Sequence, residues 1–427
     1  MRRRILIGCL LLLTCASALA QRPRRRVVGP ITEPPDLQQW IEAHATAFAT
    51  AEPVDDDSDL LPLRAVVGDA TVVGVGEATH GTHEFFAMKH RLFRFLAERM
   101  GFTVFSIEAS LPECDDLNEF VHTGKGDAAA LVANMHFWTW NVDEVVDLVL
   151  WMRAYNAAHA GGPQLSFRGF DMQFSQQAVA GVSAYLQRVD AANAGKVLQN
   201  LQCANVPYSV YQAKPLATRN QCRDAVAAAY DAIAGARTPY VAASSADEYE
   251  RMLRYARVVM QFEDLAGHHM DSATRDHYMA QNAAWIVGTE HPGEKMMMWA
   301  HNYHISRIDG LTMGSDLDYE LGARYVRMGF LFDSGDFNAR DSVTLILQKK
   351  HVDAVDDGYE VLFRHTLQPR LILDLRHPSP AAAKELATRR YAWNIGAVFP
   401  PGRDLHDFAK EFDVAIWVRD TTASRLR

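Results

Sequence analysis

The sequence predicts an α/β fold: a mostly parallel sheet core flanked by helices, with a helical insertion or lid domain. Three observations carry that prediction. Thr71–Gly76 and Phe102–Ile107 are continuous apolar runs, and between them His83–Met100 places Phe85, Met88, Leu92, Phe95 and Leu96 at helical spacing. Strand, helix and strand with unbroken apolar strands mark a parallel βαβ unit, because such strands are covered on both faces. Apolar runs then recur downstream of this unit. Between Gln173 and Glu290, however, the chain turns Ala-, Gln- and charge-rich, with helical periodicity and no strand pattern.

Taken in order, Arg2, Arg3 and Arg4 precede the apolar stretch Ile5–Leu13, and Ala18-Leu19-Ala20 fits a small-x-small cleavage site. Residues 1–20 are thus read as a secretory signal peptide, too short in its apolar part to span a bilayer. A flexible basic segment follows over 21–33. Pro34-Pro35 opens a predicted amphipathic helix over Asp36–Thr50, and Asp55–Asp59 reads as a solvated acidic loop. The βαβ unit comes next, with Thr82 as N-cap and Gly101 as helix stop. Val142–Asn156 is a helix and Leu165–Phe170 a strand ending at Asp171. Glu294–Ala300, Tyr325–Phe332, Arg370–Leu373 and Val414–Val418 complete the strands. The α/β catalytic core comprises 34–172 and 291–427, and the helical insertion 173–290.

Composition is that of an ordinary globular protein, with 48% hydrophobic and 22% charged residues over 427. This excludes a disordered chain, a collagen-like chain and a small disulfide scaffold. The formal charge of −9 gives no bulk attraction for nucleic acid. Of five cysteines, Cys9 and Cys15 lie in the signal segment. An exported chain meets an oxidising compartment, and Cys203 and Cys222 flank a polar, Pro-containing loop. They are the expected disulfide, with Cys114 left as a thiol; three buried free thiols are the alternative.

Polar residues gather at the predicted strand ends: Glu77 and His80 after the first, Glu108 at the second, Asp171 at the third, and His301, Asn302 and His304 after another. Open parallel sheets bind ligands beyond these carboxyl ends. A lone residue of this kind reads better as a cap or loop anchor, but their coincidence at four strand ends points to function. His80 stands just before a helix, whose positive end disfavours imidazolium, so a neutral ring is available as a general base for water. G-x-S-x-G, H-E-x-x-H, Walker A and G-x-G-x-x-G patterns are all absent, and Cys114 has no nucleophile setting. Hydrolysis by activated water therefore fits better than an acyl-enzyme.

Gly76-Glu77-Ala78-Thr79-His80-Gly81-Thr82-His83-Glu84-Phe85-Phe86, continuing through Lys89 and Arg91, resembles the opening motif of the erythromycin esterase family. Phe137-Trp138-Thr139-Trp140-Asn141, Gly169-Phe170-Asp171-Met172-Gln173, Arg275-Asp276 and Trp299-Ala300-His301-Asn302-x-His304 also resemble that family. The resemblance implies hydrolysis of the ester of a macrocyclic lactone, with ring opening, by a histidine mechanism without metal or other cofactor. By that carry-over His80 is the general base, and Glu77 and Glu108 hold it and the attacking water. His301 and His304 line the site, and Lys89 and Arg275 are cations of the same cleft that, with His301, are candidates for stabilising the oxyanion. Asp171 matches a motif position without an assigned role. The implied partner is a small-molecule ester, a macrolide. The export signal departs from the family, whose resistance esterases look cytoplasmic.

Two other readings fit the residues. His80-x-x-His83 and His301-x-x-His304, with Glu77 and Glu108, supply ligand types suited to zinc, as in a metal-dependent hydrolase of another ester. A secreted ligand-binding protein would use the same cleft without an aligned base.

Overall fold

The computed structural model describes residues 35–400 and 402–427. The predicted signal peptide (1–20) and basic segment (21–33) lie outside the described residues. The described residues form twelve strands: β1 (Thr46–Ala47), β2 (Val72–Val75), β3 (Phe102–Ser110), β4 (Ser166–Asp171), β5 (Lys295–Trp299), β6 (Tyr325–Asp341), β7 (Leu347–Val352), β8 (Arg370–Asp374), β9 (Arg390–Trp393), β10 (Val398–Phe399), β11 (Arg403–His406) and β12 (Val414–Thr421). Ten form one sheet in the order β1-β8-β12-β6-β2-β5-β3-β4, with β7 and β10 added along the outer half of β6. From β12 to β4 every neighbouring pair is parallel, while β8 and β1 close the far edge antiparallel. β9 and β11 form a separate hairpin.

The central strands are buried on both faces, which is why their sequences run apolar without alternation. Two large apolar clusters cover the sheet. One contains Phe85, Phe86, Phe93, Phe105 and Trp299; the other joins Val72, Met296, Met298 and Trp417 to the helices after β4. β5 is the strand that matters for function. It enters between β2 and β3 although it is far later in the chain, so it inserts its C-terminal loop between theirs.

Between β4 and β5 the described chain is helical. It runs through helices Gln176–Val189, Ala191–Leu201, Tyr208–Gln212, Leu216–Gly235, Arg237–Ala243, Ala246–Gly267 and Ser272–Trp285. Cys203 and Cys222 are joined by a disulfide in this segment, and Cys114 is a buried free thiol. Helix Ser272–Trp285 returns to the sheet and packs on β4 and on helix Met313–Leu321. No helix among the described residues is long and apolar enough to cross a membrane.

Several local expectations change. The first helix ends at His44, whose Nδ1 meets the Trp40 carbonyl oxygen at 2.8 Å, and Thr46–Ala47 then pairs with β8. β6 runs to Asp341, well past Phe332, because its second half pairs with β7 and β10 and returns Phe337 and Ala339 to the core. The acidic loop is docked, not freely solvated. Asp55, Asp57 and Asp59 meet Arg94, Arg99 and Arg91, which lie along helix His83–Met100. Thr82 takes the N-cap backbone conformation, but its hydroxyl pairs with that of Thr79 at 2.9 Å instead of capping the helix.

Candidate active site

Four adjacent strand ends build the site. Reading across the sheet, β2 supplies Glu77 and His80, β5 supplies His301 and His304, β3 supplies Glu108 and β4 supplies Asp171. Glu108 sits within β3 at a register shift between Ile107 and Ser110, and not at the strand's end. Gly76 and Gly81 bracket the turn after β2 for steric reasons. A Cβ on Gly76 would lie 2.2 Å from Oδ1 of Asn302, and one on Gly81 would lie 2.0 Å from the Asn338 carbonyl oxygen. Asn302 ties the neighbouring loops together: its Nδ2 donates to the Phe330 carbonyl at 2.8 Å and its Oδ1 accepts from the Phe330 N–H at 3.0 Å.

Glu77 is fully buried and its two oxygens are divided. Oε1 lies 2.6 Å from Nδ1 of His80, while Oε2 accepts from Lys89 Nζ at 2.5 Å and from Trp299 Nε1 at 2.8 Å. A carboxylate held on two donors is a fixed acceptor for Nδ1–H, which leaves the His80 lone pair on Nε2. Nε2 has no protein partner among the described residues and is not sealed from solvent. The edge of the ring rests against Trp140, 5.7 Å between centroids and near perpendicular.

Lys89 corrects an expectation. It is not a cation lining the cleft: it is fully buried, bonded to Glu77 and seated over the Trp299 ring at 4.6 Å. Burial pushes its ammonium down to about 8, against the pull of the Glu77 carboxylate. It acts on His80 through Glu77 and is out of reach of an oxyanion.

Glu108 meets three donors. Oε1 accepts from Arg275 Nη2 at 2.7 Å and lies 3.2 Å from His304 Nε2, and Oε2 accepts from the His301 backbone N–H at 3.0 Å. Burial alone would raise its carboxyl, but the His304 and Arg275 charges outweigh burial and hold it well below the ordinary range. It therefore serves as a fixed anion near His80, and with one donor on Oε2 it keeps an acceptor position on that oxygen. Arg275 also grips Asp171 with Nη2 at 2.6 Å and Nε at 3.3 Å. Burial opposes its charge, but Asp171 and Glu108 prevail, so it stays cationic. Asp171 in turn accepts from the Met172 N–H and from Gln173 Nε2, both at 2.7 Å.

The two histidines after β5 differ in kind. Nδ1 of His301 accepts from the Tyr303 N–H at 3.2 Å, and its Nε2 lies 3.2 Å from the Ile395 carbonyl oxygen, so the neutral Nε2–H form is fixed. Burial, reinforced by His80 and His304, lowers its basicity far below that of a free imidazole. Its ring stands 4.9 Å from that of His80. His304 has Nδ1 on Asp276 at 2.8 Å and Nε2 near Glu108. Burial opposes protonation, but Asp276 and Glu108 outweigh it and raise the ring to about 10. As imidazolium both nitrogens donate, and the 3.1 Å approach of Arg275 Nη1 to Nε2 is a like-charge contact offset by the surrounding carboxylates.

The structure thus gathers Glu77, His80, Lys89, Glu108, Asp171, Arg275, His301 and His304 into one network, with a different duty from that expected for Lys89. The expected pairing of His80 with His83 is absent. His83 turns to Glu144 and Glu52, at 2.6 and 2.7 Å. The Glu144 hydrogen bond outweighs burial and raises its ring to about 9. His301 and His304 have both nitrogens committed, so the donor set does not assemble as a zinc site; among the described residues no group of three or more His, Cys, Asp or Glu side chains is placed to hold a metal ion. Asp276 and Trp299 were visible only as motif letters, and the Ile395 carbonyl carries no sequence signal. An open groove of about 670 Å3, lined by His277, Gln281, Arg307, Asp309, Asp316 and Tyr319 among others, includes none of these network residues.

The erythromycin esterase family model matches residues 97–421. That span holds Glu108, Asp171, Arg275, His301 and His304, and begins after Glu77 and His80. The chain is 26% identical over 338 residues to the erythromycin esterase type II of Escherichia coli, covering 70% of this chain and 78% of that protein. A crystal structure of a Bacillus cereus protein superimposes with a TM-score of 0.84 at 23% identity, over 92% of this chain and 98% of that one. A mutant of the erythromycin esterase EreC in its open conformation superimposes with a TM-score of 0.69 at 16% identity, over 90% and 98%. These two likenesses bear on the fold, whereas the family model covers most of the sequence and every strand end that builds the cluster except that of β2. On that match the chain belongs to the erythromycin esterase family, whose members are hydrolases acting on esters.

Proposed function

We propose that this protein hydrolyses the ester bond of a macrocyclic lactone, a macrolide of the erythromycin kind, with water activated by His80 and without a metal. The observation that carries the reading is the Glu77–His80 pair: a buried carboxylate 2.6 Å from Nδ1, with Nε2 left unpartnered at the strand ends. Nε2 takes a proton from water as the oxygen attacks the lactone carbonyl. The C–O bond to the ring alkoxide then breaks, and the His80 imidazolium returns the proton to that alkoxide. Positive charge on His80 during the attack is balanced by Glu77 on one side and by Glu108 on the other. Arg275, with 15% of its side chain exposed, is the donor offered to the oxyanion.

A metal-free route is supported by the commitment of the donors. Both oxygens of Glu77 and Glu108, and both nitrogens of His301 and His304, already face protein partners. An ion would have to displace them. The N-terminal pattern of residues 1–20 supports export of the chain.

The test is incubation of the purified chain, lacking residues 1–20, with a panel of macrolides, with and without EDTA, followed by product mass. A gain of one water that survives chelation is the expected result. Loss of hydrolysis on chelation overturns the metal-free mechanism, and a folded protein that opens none of the rings overturns the macrolide assignment.

A further inference from the structure

Two carboxylate–imidazole pairs lie near Glu108. Glu77–His80 leaves its outer nitrogen open, whereas Asp276–His304 ends on Glu108 itself. Asp276 is fully buried in helix Ser272–Trp285. Its two oxygens lie 3.0 and 2.8 Å from Nδ1 of His304, and Oδ1 also accepts the Met313 backbone N–H at 2.7 Å. We propose that Asp276 is a positioning residue for the hydrolytic reaction: it holds His304 so that Nε2–H meets Glu108, and so fixes Glu108 as the anion facing His80. The proposal rests on the reading of His80 as the base.

A purely structural role leaves the geometry unexplained. Helix Met313–Leu321 already has its own cap, Thr312, whose hydroxyl oxygen accepts from the Ser315 N–H. Accepting one N–H from Met313 needs a single oxygen and no charge. The charge has its use at His304. The groups facing that ring are Asp276 and Arg275 from helix Ser272–Trp285, Glu108 from β3, and His301 and Tyr303 from its own segment. Burial opposes imidazolium, as does the Arg275 guanidinium 3.1 Å away, and Glu108 is already shared with Arg275. The full charge of Asp276 decides the balance. Because Arg275 and Asp276 are adjacent in sequence, one turn of the helical segment supplies both the cation on Glu108 and the anion behind His304.

Replacing the carboxylate by an amide separates charge from shape. In Asp276→Asn, Oδ1 can still accept from Met313 and Nδ2 can donate to Nδ1, so a neutral His304 keeps its Nε2–H on Glu108. What changes is the compensation of Glu108, whose negative charge then favours imidazolium on His80 and removes the base at neutral pH.

The experiment uses the full chain as Asp276→Asn and Asp276→Glu beside wild type. His304 is followed by NMR titration of its ring signals in the free protein, and kcat and KM are followed against pH on whichever lactone the wild type hydrolyses. The expected result for Asp276→Asn is a His304 titration moved from the alkaline range to neutrality or below. With it come a kcat reduced roughly 10–100-fold at pH 7 with KM little changed, and an acid limb of kcat/KM moved to higher pH. Asp276→Glu recovers part of each. Thr312→Ala, which removes the helix cap and the hydroxyl's bonds to Ser306 and Ile308 but leaves Asp276 and His304 in place, leaves the titration and the profile where they were. An unchanged His304 titration in Asp276→Asn overturns the proposal, as does a kcat loss with an unmoved pH profile. Should Asp276→Asn fail to fold, His304→Gln takes its place. It also leaves a neutral donor on Glu108, so the same shift of the acid limb is expected and its absence is fatal. Failure of the base assignment reads differently: His80→Ala would then hydrolyse normally while Asp276→Asn still moves the His304 titration.

Discussion

Lys89 reaches His80 only through Glu77: Nζ lies 2.5 Å from Oε2 of that carboxylate, whose other oxygen lies 2.6 Å from Nδ1 of the imidazole. One buried cation, one buried anion and one partly open ring form a line from the core to the cleft. Glu77→Gln breaks this line at its middle. Breaking a buried ion pair leaves an uncompensated charge and costs about 3–5 kcal/mol. Lys89 is already pushed down to about 8, so it can escape the penalty by losing its proton. The expected destabilisation in urea melts is therefore larger at pH 6 than at pH 9, with activity reduced at both.

Arg275 is planar and forked onto Asp171 and Glu108, a geometry that lysine cannot copy. Arg275→Lys keeps the charge and loses the fork. Hydrolysis is expected to fall by roughly 10–100-fold, chiefly in kcat, as for loss of a residue that orients the groups around a reacting centre. Steady-state kinetics on the lactone would show it.

His83 sits outside the network and makes a cleaner pH probe. Its ring is raised from the ordinary 6.5 to about 9 by Glu144 and Glu52. The stabilisation it brings is fully present below pH 6.5 and is lost as pH rises through 9. The stability difference between wild type and His83→Asn, measured by chemical denaturation, should be present at pH 6 and vanish by pH 10. Activity should be nearly unaffected.

The disulfide closes a separation of 19 residues inside the helical segment. Loop-closure entropy assigns such a crosslink about 3 kcal/mol. Cys203→Ala with Cys222→Ala should lower the Tm, and protease should cut first within 203–222.

Gly81 faces the Asn338 carbonyl too closely for any Cβ. Gly81→Ala must push the turn carrying His80 off the outer half of β6. Overpacking of this kind costs about 1–3 kcal/mol. Activity should drop further than stability does, because the displaced turn holds the base.

Much of the fold was legible because parallel strands buried on both faces are written as unbroken apolar runs. Helix His83–Met100 was legible in full, since its periodicity and Gly101 mark both ends. The second half of β6 was not. Asp333-Ser334-Gly335-Asp336 ends the apolar run, and pairing with the far end of β12, then with β7 and β10, carries the strand on. The cluster residues were legible as letters at strand ends, but their division of labour was not. Nothing in the sequence distinguishes Lys89 under Glu77 from Arg275 on the cleft, because both are cations in motifs. Only depth separates them. The opposite charge states of His301 and His304 likewise depend on a carbonyl near residue 395 and a carboxylate at 276, both remote in sequence.

The most direct test of His80 as general base compares wild type with His80→Ala on a lactone substrate, with circular dichroism confirming equal folding. The account expects kcat/KM to fall by about 10²–10⁴, with part of the loss restored by added imidazole. Hydrolysis by a folded His80→Ala protein at the wild-type rate would contradict it.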